Sequence, residues 1–452
     1  MISRSTLARC GAVLILAFAV SGCGGIHLPH LPSLRGGGAK KYQGTGARIP
    51  VLPTDQKLQP AAALKGVDFA LPEPAAQADW PLPGGTPEQS VEHVTAGHDF
   101  EIAWRRKIGE GRSRGHYITS TPVVAEGRIF TLDAAGLVSA HDAQTGAEVW
   151  RNNLAPKNGR DRDAYGGGVA YAGGVLYMAS GYRFITALDA KTGAVKWRTA
   201  VPSPIHGAPT VVDGRLFVVD VDDQLYAVNA VDGSILWNYQ ALEEPARVIA
   251  ASSPAVSGEV VVAPFASGEV TAFRAVNGTE LWTDTLSFTN RNNALSEIRD
   301  VPGRPVVYRG DVLAGSHSGV FGAISLREGG RRWDLPISTI TTPLPDGDVV
   351  YVVDQSGQLI CIARESGQVF WTTNLNADVK KAKNRAEWSG PMLASNRLIV
   401  VSDKGEARAL NPKTGERLKS LKVSKNGGIL SPIAAGALVY VMTDDGELVA
   451  IR

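Results

Sequence analysis

The side chains able to carry chemistry are few and poorly grouped. Eight histidines, at positions 27, 30, 93, 98, 116, 141, 206 and 317, include no pair at a metal-ligand spacing such as H-x-x-x-H. No G-x-S-x-G elbow is present with triad partners in a workable order. Two Gly-rich runs, "GEGRSRG" (109–115) and "YGGGVAYAGG" (165–174), lack the following helix that a phosphate-binding loop needs, and read as connecting loops. Asp-rich stretches at 219–224 and 443–447 lack the spacing and closing Glu of a calcium loop, so they read as hairpin turns. The pattern offers neither a metal site nor a catalytic constellation.

Of the three cysteines, one has a defined chemistry. Arg4 and Arg9 precede a short apolar run, "GAVLILAFAV" (11–20), too short to span a bilayer comfortably, as in a secretion signal. It leads into "VSGC" (20–23), small residues directly before Cys23, which resembles a bacterial lipobox. In a lipobox the thiol takes a diacylglycerol, the signal (here 1–22) is removed, and the new amino terminus is acylated. Several acyl chains, at about 0.8 kcal/mol per buried CH₂, make a durable anchor. Gly24, where an Asp would favour the inner membrane, implies the periplasmic face of the outer membrane. Cys10 leaves with the signal. Cys361 is then alone, so no intramolecular disulfide can form.

The elements around these residues are repetitive. A turn followed by a tryptophan appears as "HDAQTGAEVW" (141–150), "LDAKTGAVKW" (188–197), "VNAVDGSILW" (228–237), "FRAVNGTELW" (273–282), "ISLREGGRRW" (324–333) and "IARESGQVFW" (362–371). A seventh copy, "LNPKTGERLK" (410–419), has Lys419 in place of the indole. Each copy follows a second turn, a short apolar run and, in most, a residue–Pro pair such as Thr121-Pro122 or Arg304-Pro305. Four short strands per unit, recurring every 38–51 residues, are the signature of a β-propeller. The C-terminal stretch 427–452 supplies three strands and stops. "FEIAWRRKIG" (100–109), whose Trp104 is in step with the other tryptophans, supplies the missing fourth. The expected fold is therefore all-β: an eight-bladed propeller over 98–452, closed by pairing of the two chain ends, with seven blades as the competing count. The recurring Trp reads as a packing anchor between blades. Cys361 occupies a position that is Ala in other copies and reads as a small buried hydrophobe. His141 falls on an otherwise apolar position and reads as a core histidine.

Residues 23–97 differ. They hold ten of the 26 prolines and runs such as "RGGGAKKYQGTG", and read as an extended, mostly disordered tether on which Trp80 and "ALPEP" (70–74) can dock locally. The formal net charge of +2 gives no electrostatic case for nucleic-acid binding.

The repeat "A-x-D-A-x-T-G-x-x-x-W" resembles the tryptophan-docking motif of the PQQ-like repeat family, which includes quinone-dependent dehydrogenases. Those enzymes add a calcium-binding Glu/Asn/Asp set and often a vicinal Cys-Cys pair; with only Cys361 in the propeller, that pair is impossible here. No cofactor is therefore expected. Lipobox, tether and bare propeller together resemble the BamB family. The resemblance implies a non-enzymatic scaffold that binds the periplasmic POTRA repeats of a BamA-type barrel insertase, beside the other lipoproteins of that machinery. In that family two neighbouring connectors on one propeller face carry the contact. The matching stretches are "ARVIAASSP" (246–254) and "LSEIRDVPG" (295–303). The implied partner-binding residues are Arg247, Val248, Ile249, Arg299 and Asp300. Two departures stand out: Arg247 precedes the apolar pair instead of following it, and Pro302 replaces a second Asp. A periplasmic PQQ-dependent dehydrogenase or small-ligand-binding propeller is the alternative, and an interaction propeller with another partner remains open.

Overall fold

The computed structural model describes residues 58–156, 164–244, 247–248, 252–287, 298–428 and 430–452. The signal segment, Cys23, the whole of "RGGGAKKYQGTG" (35–46) and Ile249 lie outside the described residues. The described residues form eight four-stranded antiparallel sheets. Blade 1 runs from the inside outward through Val123–Ala125, Arg128–Leu132, Leu137–Asp142 and Glu148–Asn153. Blades 2 to 7 repeat this meander. Blade 8 takes Ile433–Ala435, Leu438–Met442 and Glu447–Ile451 from the C-terminus and its outer strand, Ile102–Lys107, from ahead of blade 1. Eight blades and closure by the chain ends are as the repeat register requires: Trp104 lies opposite Ala450. The core is a set of apolar clusters, each shared by neighbouring blades.

The indoles sit between blades. In blades 1 to 7 a bulge beside the Trp position, or beside Lys419 in blade 7, interrupts the third-to-outer strand pairing. The extra residue re-aims the side chain sideways. Trp150 donates its Nε1–H to the Ala190 carbonyl of the next blade at 3.0 Å, and Trp197, Trp237, Trp282 and Trp333 do the same to Ala230, Ala275, Leu326 and Arg364 at 2.7–3.1 Å. The receiving turn is held by its own Asp. Asp189 accepts from the backbone N–H groups of Lys191 and Thr192, and its carbonyl accepts from Gly193. Gly193 has φ +73°, and a Cβ there would lie 2.5 Å from the Trp150 ring, so glycine is required twice over. Inside each blade that has one, the indole rests beside a small residue of the third strand: Phe130, Ala140 and Trp150 form one row across three strands, and Tyr351, Cys361 and Trp371 another. Cys361 is fully buried in the Ala role, and burial pushes its thiol well up. His141 is a core residue, its Nε2 3.0 Å from Ser139 Oγ, and burial keeps its imidazole below its ordinary value.

Lys419 breaks the pattern for a geometric reason. An indole there would dock on the third-to-outer turn of blade 8, but that is where the chain ends fall, so no such turn exists. Lys419 instead donates to the Asp99 carbonyl at 2.9 Å.

Residues 58–97 correct the tether reading. They form an ordered strap bonded to all eight blades on the face carrying the first-to-second strand hairpins. Trp80 and Val124 exchange backbone hydrogen bonds at 2.7 and 2.8 Å. Tyr171, Val256 and Val307 donate to the carbonyls of Pro81, Pro87 and Glu88. Gln89 Nε2 donates to Thr210 Oγ1 and the Pro254 carbonyl, while Ala61, Val94 and Gln77 reach blades 6, 7 and 8. A proline-rich segment has too few donors to build its own sheet, yet its carbonyls can satisfy inner-strand edges that would otherwise be bare. Trp80 is buried and donates to the Pro83 carbonyl at 3.2 Å, and "ALPEP" docks through Ala70 on Asp348. Trp80→Ala is expected to release the strap locally without unfolding the ring, raising the rate of limited proteolysis within 58–97 by about tenfold or more.

The strap also covers an ionisable group. Asp346 is completely buried with neither carboxylate oxygen in a well-formed hydrogen bond. Burial, reinforced by the Glu92 carboxylate and opposed by the His93 N–H and Arg309, pushes its pKa up to about 7. The native state thus holds this proton more tightly than the unfolded chain. Its contribution to stability is fully present below the ordinary Asp range and is lost as pH rises towards 7. Asp346→Asn should raise stability at pH 8 by on the order of 2 kcal/mol and flatten that part of the pH profile, read from urea midpoints between pH 4 and 8.

Candidate functional site

The face opposite the strap carries the connectors that join the outer strand of one blade to the inner strand of the next. Two successive connectors, from blade 3 to blade 4 and from blade 4 to blade 5, hold the residues singled out by sequence. They touch: the Val248 backbone N–H donates to Asp300 Oδ2 at 3.0 Å. Arg247 pairs with Asp223 at 2.9 Å, and Asp223, whose side chain is only 1% exposed, also accepts from the Ala266 N–H at 2.9 Å. Behind them Val301 donates to the Phe265 carbonyl, and the Asp300 carbonyl accepts from His317 at 2.8 Å. Backbone and carboxylate bonds together clamp the two connectors into one surface.

This changes what each residue can do. Asp300 is turned inward. Burial pushes its carboxyl up to about 6, against the opposing pull of the Val248 N–H and Arg247. Asp223 is likewise raised by burial, and Arg247 opposes it. Arg247, Val248 and Asp300 are all half-buried, but Arg247 and Asp300 spend their charges on Asp223 and the Val248 N–H and so act as positioning residues, whereas Arg299 is exposed. With Phe265 and Pro302, the residues Arg247, Val248 and Asp300 border a shallow groove of about 60 Å³, which Arg299 does not line. Val248 and Pro302 also line a larger cavity of about 400 Å³ at this end of the central channel, with Arg304, His317, Thr342 and Trp388.

Among the described residues no group of three or more His, Cys, Asp or Glu side chains is placed to hold a metal. Two residues escaped the sequence reading. Asp223 lay in a stretch read as an ordinary hairpin turn, and nothing in its local pattern pairs it with a residue 24 positions on. Arg304 did leave a trace: it precedes a proline where the other units have Thr121, Ala208, Ser253, Thr342 and Gly390, all small.

Comparison with known proteins agrees with this fold. The family described as outer membrane protein assembly factor BamB matches residues 134–373 and 346–452. The BamB of Moranella endobia is 27% identical over 353 residues, covering 77% of this chain and 89% of that one. The crystal structure of BamB from Moraxella catarrhalis superimposes with a TM-score of 0.64 at 17% identity, over 77% of this chain and 99% of that one. A quinohemoprotein alcohol dehydrogenase from Pseudomonas putida HK5 gives the same TM-score at 14% identity, over 81% and 75% of the two chains. At such identities the structures speak for the propeller alone, which scaffold and dehydrogenase share. The sequence match is the finding that separates them, and by it the chain belongs to the BamB family of outer membrane protein assembly factors.

Proposed function

We propose that the protein is a non-enzymatic assembly factor for outer membrane proteins, held at the periplasmic face of the outer membrane by acyl chains on Cys23. In this reading the clamped connectors dock the POTRA repeats of a BamA-type barrel insertase, beside the other lipoproteins of that machinery. The observation that carries it is the Val248–Asp300 bond, which fuses two connectors into one preformed surface away from the strap. Val248, with Ile249 beside it in sequence, supplies apolar contact, and Arg299 an accessible charge. Arg247 and Asp300 act as positioning residues. A preformed surface binds with less ordering entropy than a pair of loose loops.

In-cell photo-crosslinking tests this. A benzophenone side chain placed at position 248 or 299 is expected to capture the barrel insertase, and one at position 65, on the strap, is not. Capture from position 65 alone, or from none of the three, would overturn the assignment.

A further inference from the structure

The central cavity on the connector face holds a cation that the protein does not neutralise. The residue before the inner-strand proline lines this cavity in several blades: Thr121, Arg304, Thr342 and Ser431. Elsewhere the position is Ala208, Ser253 or Gly390, so a small side chain suffices for the fold and only blade 5 places a charge there. The Arg304 backbone N–H is satisfied by Thr342 Oγ1 at 3.3 Å. Its side-chain Nε is buried without a hydrogen-bond partner, and among the described residues no carboxylate forms an ion pair with it. Burial lowers its pKa to about 10, which still leaves it charged at neutral pH. His317, on a turn of the same blade, presents a second buried nitrogen without a partner, Nδ1, and lines the same cavity.

The carboxylates on the far wall are engaged elsewhere or solvated. Asp354 caps its own turn through Ser356 and the Gln358 N–H, Asp444 pairs with Arg112 at 3.3 Å, and Glu387 is exposed. Arg304 is half-buried, and a guanidinium with a buried, unpartnered Nε and no ion pair opposes folding; a Thr or Ser, as in the other blades, would remove the penalty. Such destabilising residues persist where a ligand uses them.

We propose that the central cavity binds a small oxyanion, a carboxylate or phosphate group, with Arg304 as its counter-ion and His317 as a second polar contact. The planar guanidinium can meet two oxygens of such a group at once. The inference stands independently of the docking reading, although Val248 and Pro302 border both sites.

Thermal melting of the full mature chain with succinate or inorganic phosphate, against sodium chloride at matched ionic strength, tests it. One or both should raise Tm saturably, by about 1–2 °C at about tenfold the dissociation constant, and the arm that responds identifies the group. Arg304→Gln should raise the ligand-free Tm and abolish the ligand-dependent rise, while Arg304→Lys keeps part of it. No saturable rise with either anion, an equal rise in Arg304→Gln, or a fall in the ligand-free Tm of that variant would each overturn the proposal; the last would make the guanidinium a structural group.

Discussion

Trp282→Ala will destabilise the protein by about 3–5 kcal/mol, the range for truncating a well-packed indole. Trp282 is 9% exposed, donates to the Leu326 carbonyl of the next blade at 2.8 Å and lies flat on Gly329. The loss is therefore inter-blade packing plus one hydrogen bond. Gly329→Ala attacks the same contact from the other side. Gly329 has φ +72°, and its new Cβ would fall 2.6 Å from Trp282 Cβ. The two substitutions should be non-additive: in the Trp282→Ala background, Gly329→Ala escapes the clash with Cγ and Cδ2 but keeps the one with the Cβ that alanine retains, so it should cost less than in the wild type and still more than its backbone strain of about 1 kcal/mol. Trp371→Phe offers a graded comparison. The Pro412 carbonyl that would receive its N–H is taken by the Tyr351 hydroxyl at 2.9 Å, leaving the indole nitrogen without a partner. Trp371→Phe should thus be milder than Trp282→Phe by about 1 kcal/mol, read from denaturant midpoints.

Removal of Glu447–Arg452 should have the largest effect of all, loss of the soluble monomer. These residues hold the strand between Leu438–Met442 and Ile102–Lys107, pairing Val449 with both Val441 and Arg105. Without it the ring opens and two strand edges are bared, which invites pairing between molecules. Val449→Pro is a gentler probe, expected to cost about 3 kcal/mol or more because proline breaks the ladder within the sheet. Sedimentation and far-UV circular dichroism distinguish an opened, self-associating ring from one that is merely less stable. A truncated chain that stays monomeric with an unchanged midpoint would show that closure contributes little.

The propeller was legible because its signals are local and repeated. The Asp–Thr–Gly turn, the Ala beside the indole and the Trp itself all fall within ten residues, as in "LDAKTGAVKW", and Trp104 kept step across the gap to the C-terminus. What stayed hidden depends on distant partners. The strap reads as disorder from composition, since its backbone bonds run to residues such as Val124, Val256 and Ser395. Lys419 reads in sequence only as an exception to the Trp pattern; the missing turn of blade 8 explains it. In the candidate site, sequence placed the two connectors side by side, but it left Asp300 facing outward. Only the geometry turns Asp300 onto the Val248 N–H and gives Arg247 its partner, Asp223.

The strap and the connectors divide the labour of the two faces. One is crossed by residues 58–97, bonded to all eight blades; the other carries the clamped connectors. The most direct test of the docking reading is a calorimetric titration of the purified mature chain with the POTRA repeats of its own barrel insertase. The intact protein should bind saturably, and Arg299→Glu and Val248→Ala should each weaken binding about tenfold or more while Tm stays constant. No binding by the intact protein, or undiminished affinity in both variants, would contradict it.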